Sequence, residues 1–75
     1  MAEFIEIKSA LMEFWGHGSG SMDELAAVEA LIKKKKVSKQ SIKNELLPSV
    51  PASATGHTGA RCKRAIAMLH RLAGA

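Results

Sequence analysis

The sequence predicts an all-α fold: a small three-helix domain with an N-terminal amphipathic helix packed against it as a fourth helix. Three observations lead to this prediction. Apolar residues recur at three- and four-residue steps in several segments, serines stand at helix-capping positions, and breaks rich in Gly, Ser and Pro separate the segments. The chain has 75 residues, which is enough for one small domain.

Residues 2–15 form the first predicted helix, which is acidic and amphipathic. Its apolar face holds Phe4, Ile7, Leu11, Phe14 and Trp15, and these include all three aromatic residues of the chain. A helix of this length is marginal alone in water, so we expect it to dock. It is either an ordinary core helix of a four-helix domain or a peptide ligand that lies in a groove of the remaining chain.

Residues 16–21, GHGSGS, predict a flexible linker between an N-terminal peptide (1–15) and a domain (22–75). The GSGS run before Met22 resembles linkers that fuse two coding segments, and a natural glycine-rich loop is the alternative. Residues 1–21 hold three glutamates against Lys8, a net charge of −2, whereas residues 22–75 hold ten Lys or Arg against four acids, a net charge of +6. Opposite charges predict that the two parts attract each other.

The second predicted helix spans about residues 22–36. Ser21 and Glu24 have the spacing of a capping box at its start. Its buried stripe is Leu25, Val28, Leu31 and Ile32. Four lysines, 33–36, end the helix, where its dipole favours cations; they suit a solvated helix end, and also contact with phosphate or an acidic partner.

The third predicted helix spans about residues 39–47. Ser38 is a suitable N-cap, and Val37 and Ile42 have the spacing of a hydrophobic staple. Pro48 ends this helix because proline lacks the amide hydrogen that a helix interior needs.

The run VSKQSIKNEL, residues 37–46, resembles the start of the recognition helix in helix-turn-helix proteins. This resemblance implies DNA contact by the exposed positions of the run, which are Ser38, Lys39, Gln40, Ser41 and Lys43. Two positions depart from the family pattern. Lys36 stands where the turn usually has Gly, and Ile32 stands where a small residue lets the helices cross closely.

Residues 48–58 predict a loop in which Val50 reaches the core, and residues 59–73 predict the last helix, with Thr58 as its cap. The inward face of this helix is Cys62, Ala65, Ile66 and Leu69, followed by Leu72 or Ala73. The predicted core of the domain consists of Leu25, Val28, Ile32, Ile42, Leu46, Ile66 and Leu69.

The composition disfavours several classes of function. One cysteine, Cys62, allows no intrachain disulfide, and the three histidines lack the spacing of metal ligands, so we expect neither a metal nor a cofactor. No residues form a pattern typical of catalysis, so we expect no enzyme activity. We expect no membrane segment and no signal peptide, and therefore an intracellular protein of the cytoplasm or nucleus.

The preferred interpretation is a protein-protein docking module, in which a basic helical domain binds an acidic amphipathic helix of a partner. Modules of this kind occur in transcription factors and their coactivators, in viral polymerase cofactors and in the docking ends of modular synthases, and the sequence does not select among these. The predicted binding residues are the anchors Phe4, Ile7, Leu11, Phe14 and Trp15 and the basic rim Lys33, Lys36, Lys63 and Arg64, with Glu3, Glu6 and Glu13 facing that rim. A helix-turn-helix DNA-binding domain and a natural four-helix structural protein are the alternatives. The sequence makes no prediction of oligomeric state.

Overall fold

The computed structural model describes residues 2–17 and 20–74, and within these ranges the chain forms four helices and no strand, which confirms the all-α prediction. Helix α1 is Ala2–Met12 and continues into a wide π-helical turn, Glu13–His17, and α2 is Met22–Lys34. Helix α3 is Lys39–Ser41 and continues into a second π-helical turn, Ile42–Leu46, and then a 3-10 turn, Leu47–Ser49. Helix α4 is Gly56–Leu72. Within the same residues, no helix has the length and apolar composition needed to cross a bilayer.

Two helices begin at the serines that the sequence marks as caps. The Ser21 hydroxyl accepts a hydrogen bond from the Glu24 amide at 3.2 Å, and the Ser38 hydroxyl accepts one from the Ser41 amide at 3.1 Å. Both bonds satisfy amides that a helix start leaves without an intrahelical partner.

Helix α2 ends at Lys34, two residues earlier than expected, because the chain turns at the next two lysines. Lys36 is the only residue other than glycine with a positive φ among the described residues, at +54°. This left-handed conformation breaks the helical path and carries the chain into α3.

The connection between α3 and α4 is shorter than the sequence predicts. The 3-10 turn takes up its first residues, and the Ser49 hydroxyl closes that turn by donating to the Leu46 carbonyl at 2.6 Å. At its other end Gly56, with φ of +68°, directs the chain into α4 three residues earlier than expected. The N-cap position is therefore Thr55 rather than Thr58.

Helices α1, α2 and α4 and the 42–46 turn that continues α3 contribute to one hydrophobic core. Six of the seven predicted core residues are buried, and so is Val50 in the connection, as predicted. Ile66 is the exception, because it is half-buried. Met68 is buried in addition to the expected residues, and it lines a cleft together with Leu25 of α2. The buried apolar residues are Ile7, Leu11, Phe14, Leu25, Val28, Ile32, Ile42, Leu46, Val50, Cys62, Ala65, Met68, Leu69 and Ala73.

Gly59 provides a test of how tightly the connection packs on α4. A Cβ atom at this position would collide with the Ala54 carbonyl oxygen, which is backbone and cannot rotate away. We therefore expect Gly59→Ala to lower the free energy of unfolding by about 1–3 kcal/mol, measured by urea denaturation.

Gly16→Ala is the matched control, because a Cβ atom there meets nothing within 4 Å. Alanine favours helical backbone over glycine, so this variant should be as stable as the original chain or slightly more stable. Equal effects of the two substitutions on the free energy of unfolding would show that the Ala54 carbonyl does not lie close to Gly59.

Candidate docking site

The candidate docking site is the surface of residues 22–74 that α1 covers, which we call the α1 groove. Helix α1 packs against α2 and the 42–46 turn, and the turn that follows it, Glu13–His17, packs against α4. Ile7 and Leu11 are both 0% exposed, and Phe14 is also buried. These three side chains have the i, i+4, i+7 spacing of helix-in-groove anchors.

The other two predicted anchors lie at the edges of the groove. Phe4 and Trp15 are half-buried and pack against the core from outside. Ile5 and Met12, one heptad apart on the opposite side of α1, are 65% and 50% exposed. The apolar surface of α1 is therefore divided into a buried face and a partly exposed one.

Two ion pairs join α1 to the rest of the chain. Glu6 pairs with Lys35 of the α2–α3 turn at 3.0 Å, and Lys8 pairs with Glu45 at 3.6 Å. The side chains are partly exposed, so each pair contributes about 0.2–1 kcal/mol. Full burial of one large apolar side chain contributes about 1.5–3 kcal/mol, so the buried anchors stabilise this contact more than the charges do.

The basic residues predicted for the rim lie in three different places. Lys33 pairs with Glu29 of its own helix at 3.2 Å, and Lys36 is exposed in the turn after α2. Lys63 is exposed on α4, and Arg64 donates from Nη1 to the Gly20 carbonyl at 3.2 Å.

Lys35, which binds the acidic side of α1, is absent from the predicted rim. The run of four lysines indicates the region but does not show which lysine faces α1. Of the three predicted acidic contacts, Glu6 is in an ion pair, Glu13 lines a cleft between α1 and α2, and the Glu3 side chain is outside the description.

The second half of the predicted linker is held by α4. Gly16 and His17 belong to the helical turn after α1, and residues 18 and 19 are outside the described ranges. Gly20 is buried with φ of +73°, and a Cβ atom there would lie 2.5 Å from Arg61 Nε. Together with the Arg64 hydrogen bond, this close approach fixes the position where the chain enters α2.

The residues that the helix-turn-helix resemblance marks lie at the start of α3. Lys39, Gln40 and Lys43 are exposed, whereas Ser38 caps the helix and Ser41 is half-buried beside it. The Ser38 hydroxyl also donates to the Ser41 hydroxyl at 3.0 Å. The inward side of this segment is apolar and consists of Ile42 and Leu46.

The structure offers little for covalent or metal chemistry in the residues that it describes. Burial raises the pKa of the Cys62 thiol, which keeps it protonated and poorly nucleophilic. Among the side chains that the structure describes, no three of His, Cys, Asp or Glu come together in a cluster that could hold a metal ion.

Comparisons of the chain with protein-family models, with curated proteins and with solved structures found no match.

Two isoleucines on opposite sides of α1 provide a test of the α1 groove. Ile7→Val removes one buried methyl group, so we expect it to lower the free energy of unfolding by about 0.5–1.5 kcal/mol. Ile5→Val removes the same group from an exposed position, where we expect a change within about 0.5 kcal/mol. Urea denaturation followed by Trp15 fluorescence measures both, and similar values for the two variants would show that α1 does not dock through Ile7.

Proposed function

We propose that residues 22–75 are a protein-docking domain and that α1 is the acidic amphipathic helix that occupies its groove. The observation that carries this proposal is the complete burial of Ile7, Leu11 and Phe14 against α2, the 42–46 turn and α4. A groove that accepts anchors at this spacing is the usual means by which a helical domain binds a partner helix.

The division of residue types between the two parts supports this proposal. All three aromatic residues lie in α1 or the turn that follows it, and residues 22–75 contain none. Aromatic anchors are typical of the ligand side of a docking interface, where a few side chains provide most of the affinity. A glycine- and serine-rich segment then separates the two parts, as it would in a fusion of a ligand with its receptor.

The charges have a smaller part in the proposed interaction. The basic domain attracts an acidic helix, and the pair between Glu6 and Lys35 gives that attraction a definite contact. Because exposed pairs contribute little to affinity, their main effects are on the rate of association and on the choice of partner.

An exchange experiment on the full chain tests the proposal. A protease recognition sequence in place of residues 18 and 19 allows the folded chain to be cut between α1 and α2. We then expect a labelled peptide of residues 2–15 to displace the native segment, with the fluorescence anisotropy of the label reporting its binding, because both segments contain Trp15. Exchange that reaches equilibrium and depends on peptide concentration is the expected result.

Two variant peptides make the test specific. Leu11 is fully buried, so Leu11→Ala should weaken binding by roughly 30-fold or more, the equivalent of about 2–5 kcal/mol. Met12 is half-exposed, so Met12→Ala should change binding by less than about threefold. If the cut chain unfolds and no peptide restores it, α1 is an integral core helix, and the four-helix structural protein becomes the better interpretation.

DNA binding by a helix-turn-helix is a second candidate, and the turn between α2 and α3 favours it. Lys36 adopts the left-handed conformation at the position where the family usually has glycine. The residue type therefore differs from the family pattern at this position, but the backbone conformation does not. Lys39, Gln40 and Lys43 are exposed on one side of the following segment, as a reading helix requires.

The second candidate predicts duplex binding that becomes weaker steeply as salt increases. The double variant Lys39→Ala, Gln40→Ala should lower affinity for a retained duplex by at least about tenfold, measured by fluorescence anisotropy. Lys63→Ala, which removes an exposed charge from α4, is the control and should have a much smaller effect. No retention of a random duplex pool at low salt, or equal effects of the variants, would rule out this candidate.

A further inference from the structure

Five of the eight lysines lie at one end of the bundle, where α2 and α4 finish and α3 begins. Two contacts bring the C-terminal end of α4 to this place. Arg71 pairs with Glu29 of α2, and a Cβ atom at Gly74 would lie 3.3 Å from Lys39 Nζ. We call this surface the lysine end, and its residues are Lys33, Lys34, Lys35, Lys36, Lys39 and Arg71.

Two carboxylates balance part of the charge at the lysine end. Glu29 pairs with both Lys33 and Arg71, and Glu6 of α1 pairs with Lys35. Six cations against these two carboxylates leave a net charge of +4 on this surface.

The excess charge belongs to Lys34, Lys36 and Lys39. All three are exposed, and no carboxylate of the described residues pairs with them. Helix dipoles explain only the first, because a cation is favoured in the last turn of a helix and disfavoured at the start of the next. Lys36 lies beyond the end of α2 and has φ of +54°, a conformation that glycine adopts at less cost. Two of these lysines therefore have positions that folding alone disfavours.

The surroundings of the three lysines restrict the kind of ligand. The large apolar side chains that are exposed among the described residues are Ile5, Met12 and Met22, and none of them belongs to the lysine end. A partner protein would find charge here but no apolar anchor, and exposed ion pairs alone contribute little affinity. An anionic membrane is disfavoured for the same reason, since stable attachment needs an apolar anchor besides a basic patch.

A nucleic-acid duplex is a ligand for which clustered lysines are sufficient. It carries one negative charge per about 1.7 Å of its axis, and the release of its condensed counterions drives binding without apolar contacts. Lysine contacts phosphate as a point charge on a flexible stem, so the site needs no fixed hydrogen-bond geometry. Density of charge and exposure are the properties required, and the lysine end has both.

We propose that the lysine end binds the phosphate backbone of a nucleic-acid duplex without regard to base sequence, through Lys34, Lys36 and Lys39. This inference goes beyond the proposed function, because it needs neither the release of α1 nor the reading of bases by α3. Glu6 pairs with Lys35 and not with the three contact residues, so duplex binding is compatible with docked α1.

Fluorescence anisotropy of labelled duplexes titrated with the full chain tests the proposal. Two duplexes of about 20 base pairs and unrelated sequence should bind with affinities within about twofold of each other. We expect a Kd on the order of 10 µM at about 100 mM KCl, and a slope of about −3 for the logarithm of affinity against the logarithm of salt concentration.

A pair of single variants makes the test specific. Asparagine tolerates the left-handed conformation, so Lys36→Asn removes the charge without straining the turn. This variant should weaken duplex binding by about fivefold or more and make the salt slope shallower by about 0.9. Lys63→Gln, at an exposed position of α4 outside the lysine end, is the matched control and should leave affinity within about twofold.

A triple variant, Lys34→Gln, Lys36→Asn and Lys39→Gln, should weaken duplex binding by at least about thirtyfold. Its melting temperature should equal or exceed that of the original chain, because the substitutions reduce repulsion between like charges. Weak duplex binding by this variant is then a loss of contacts and not of the fold.

Four results would overturn the proposal. The first two are no saturable duplex binding at low salt and equal effects of Lys36→Asn and Lys63→Gln. The third is a loss of at least about tenfold in Gln40→Ala for one duplex only, which would indicate base reading by α3. The fourth is tighter binding to polyglutamate or to vesicles of anionic lipid than to a duplex. The exchange of the cut chain reports α1 docking independently, so failure of either proposal is distinguishable from failure of the other.

Discussion

Ile7, Leu11 and Phe14 occupy space in the core that no side chain of residues 22–74 fills. The domain has leucines, isoleucines, valines and alanines, but it has no aromatic ring with which to close the gap between α2, the 42–46 turn and α4. In a chain of this size, one large side chain is a considerable part of the total stability. The position of α2 relative to the 42–46 turn and α4 therefore depends on α1 and the turn that follows it.

The polar contacts around α1 are arranged so that they guide this packing. Lys35 and Glu45 contact opposite charges on α1, and Arg64 holds the backbone at Gly20 where the chain returns to α2. Each of these groups lies at the edge of the core, where water screens its electrostatic attraction. The geometry of each contact still restricts the direction in which α1 packs. The result is an apolar centre that provides most of the stabilisation and a polar border that sets the orientation of α1.

Sequence patterns predicted the helices and most of the core because these depend on local chemistry. Ser21 and Ser38 cap their helices as hydroxyl spacing indicates, and apolar periodicity placed Ile7 and Leu11 inside. The predicted start of α4 at residue 59, with Thr58 as its cap, is wrong because the positive φ of Gly56 already turns the chain into the helix, and Thr55 takes the N-cap position without a side-chain hydrogen bond. Periodicity also could not identify Lys35 within its run of lysines, because the contact with Glu6 depends on how two helices cross.

In the proposed function, the short segment between α1 and α2 would affect competition between partners. Two elements joined by so few residues meet at an effective concentration of about 1 mM, so even an intrinsic Kd of about 10 µM would keep α1 docked in about 99% of molecules. A helix from another protein would then need an affinity some hundredfold higher, or a comparably high local concentration, to take its place. In the proposed function, the short segment would thus protect the α1 groove from weak competitors.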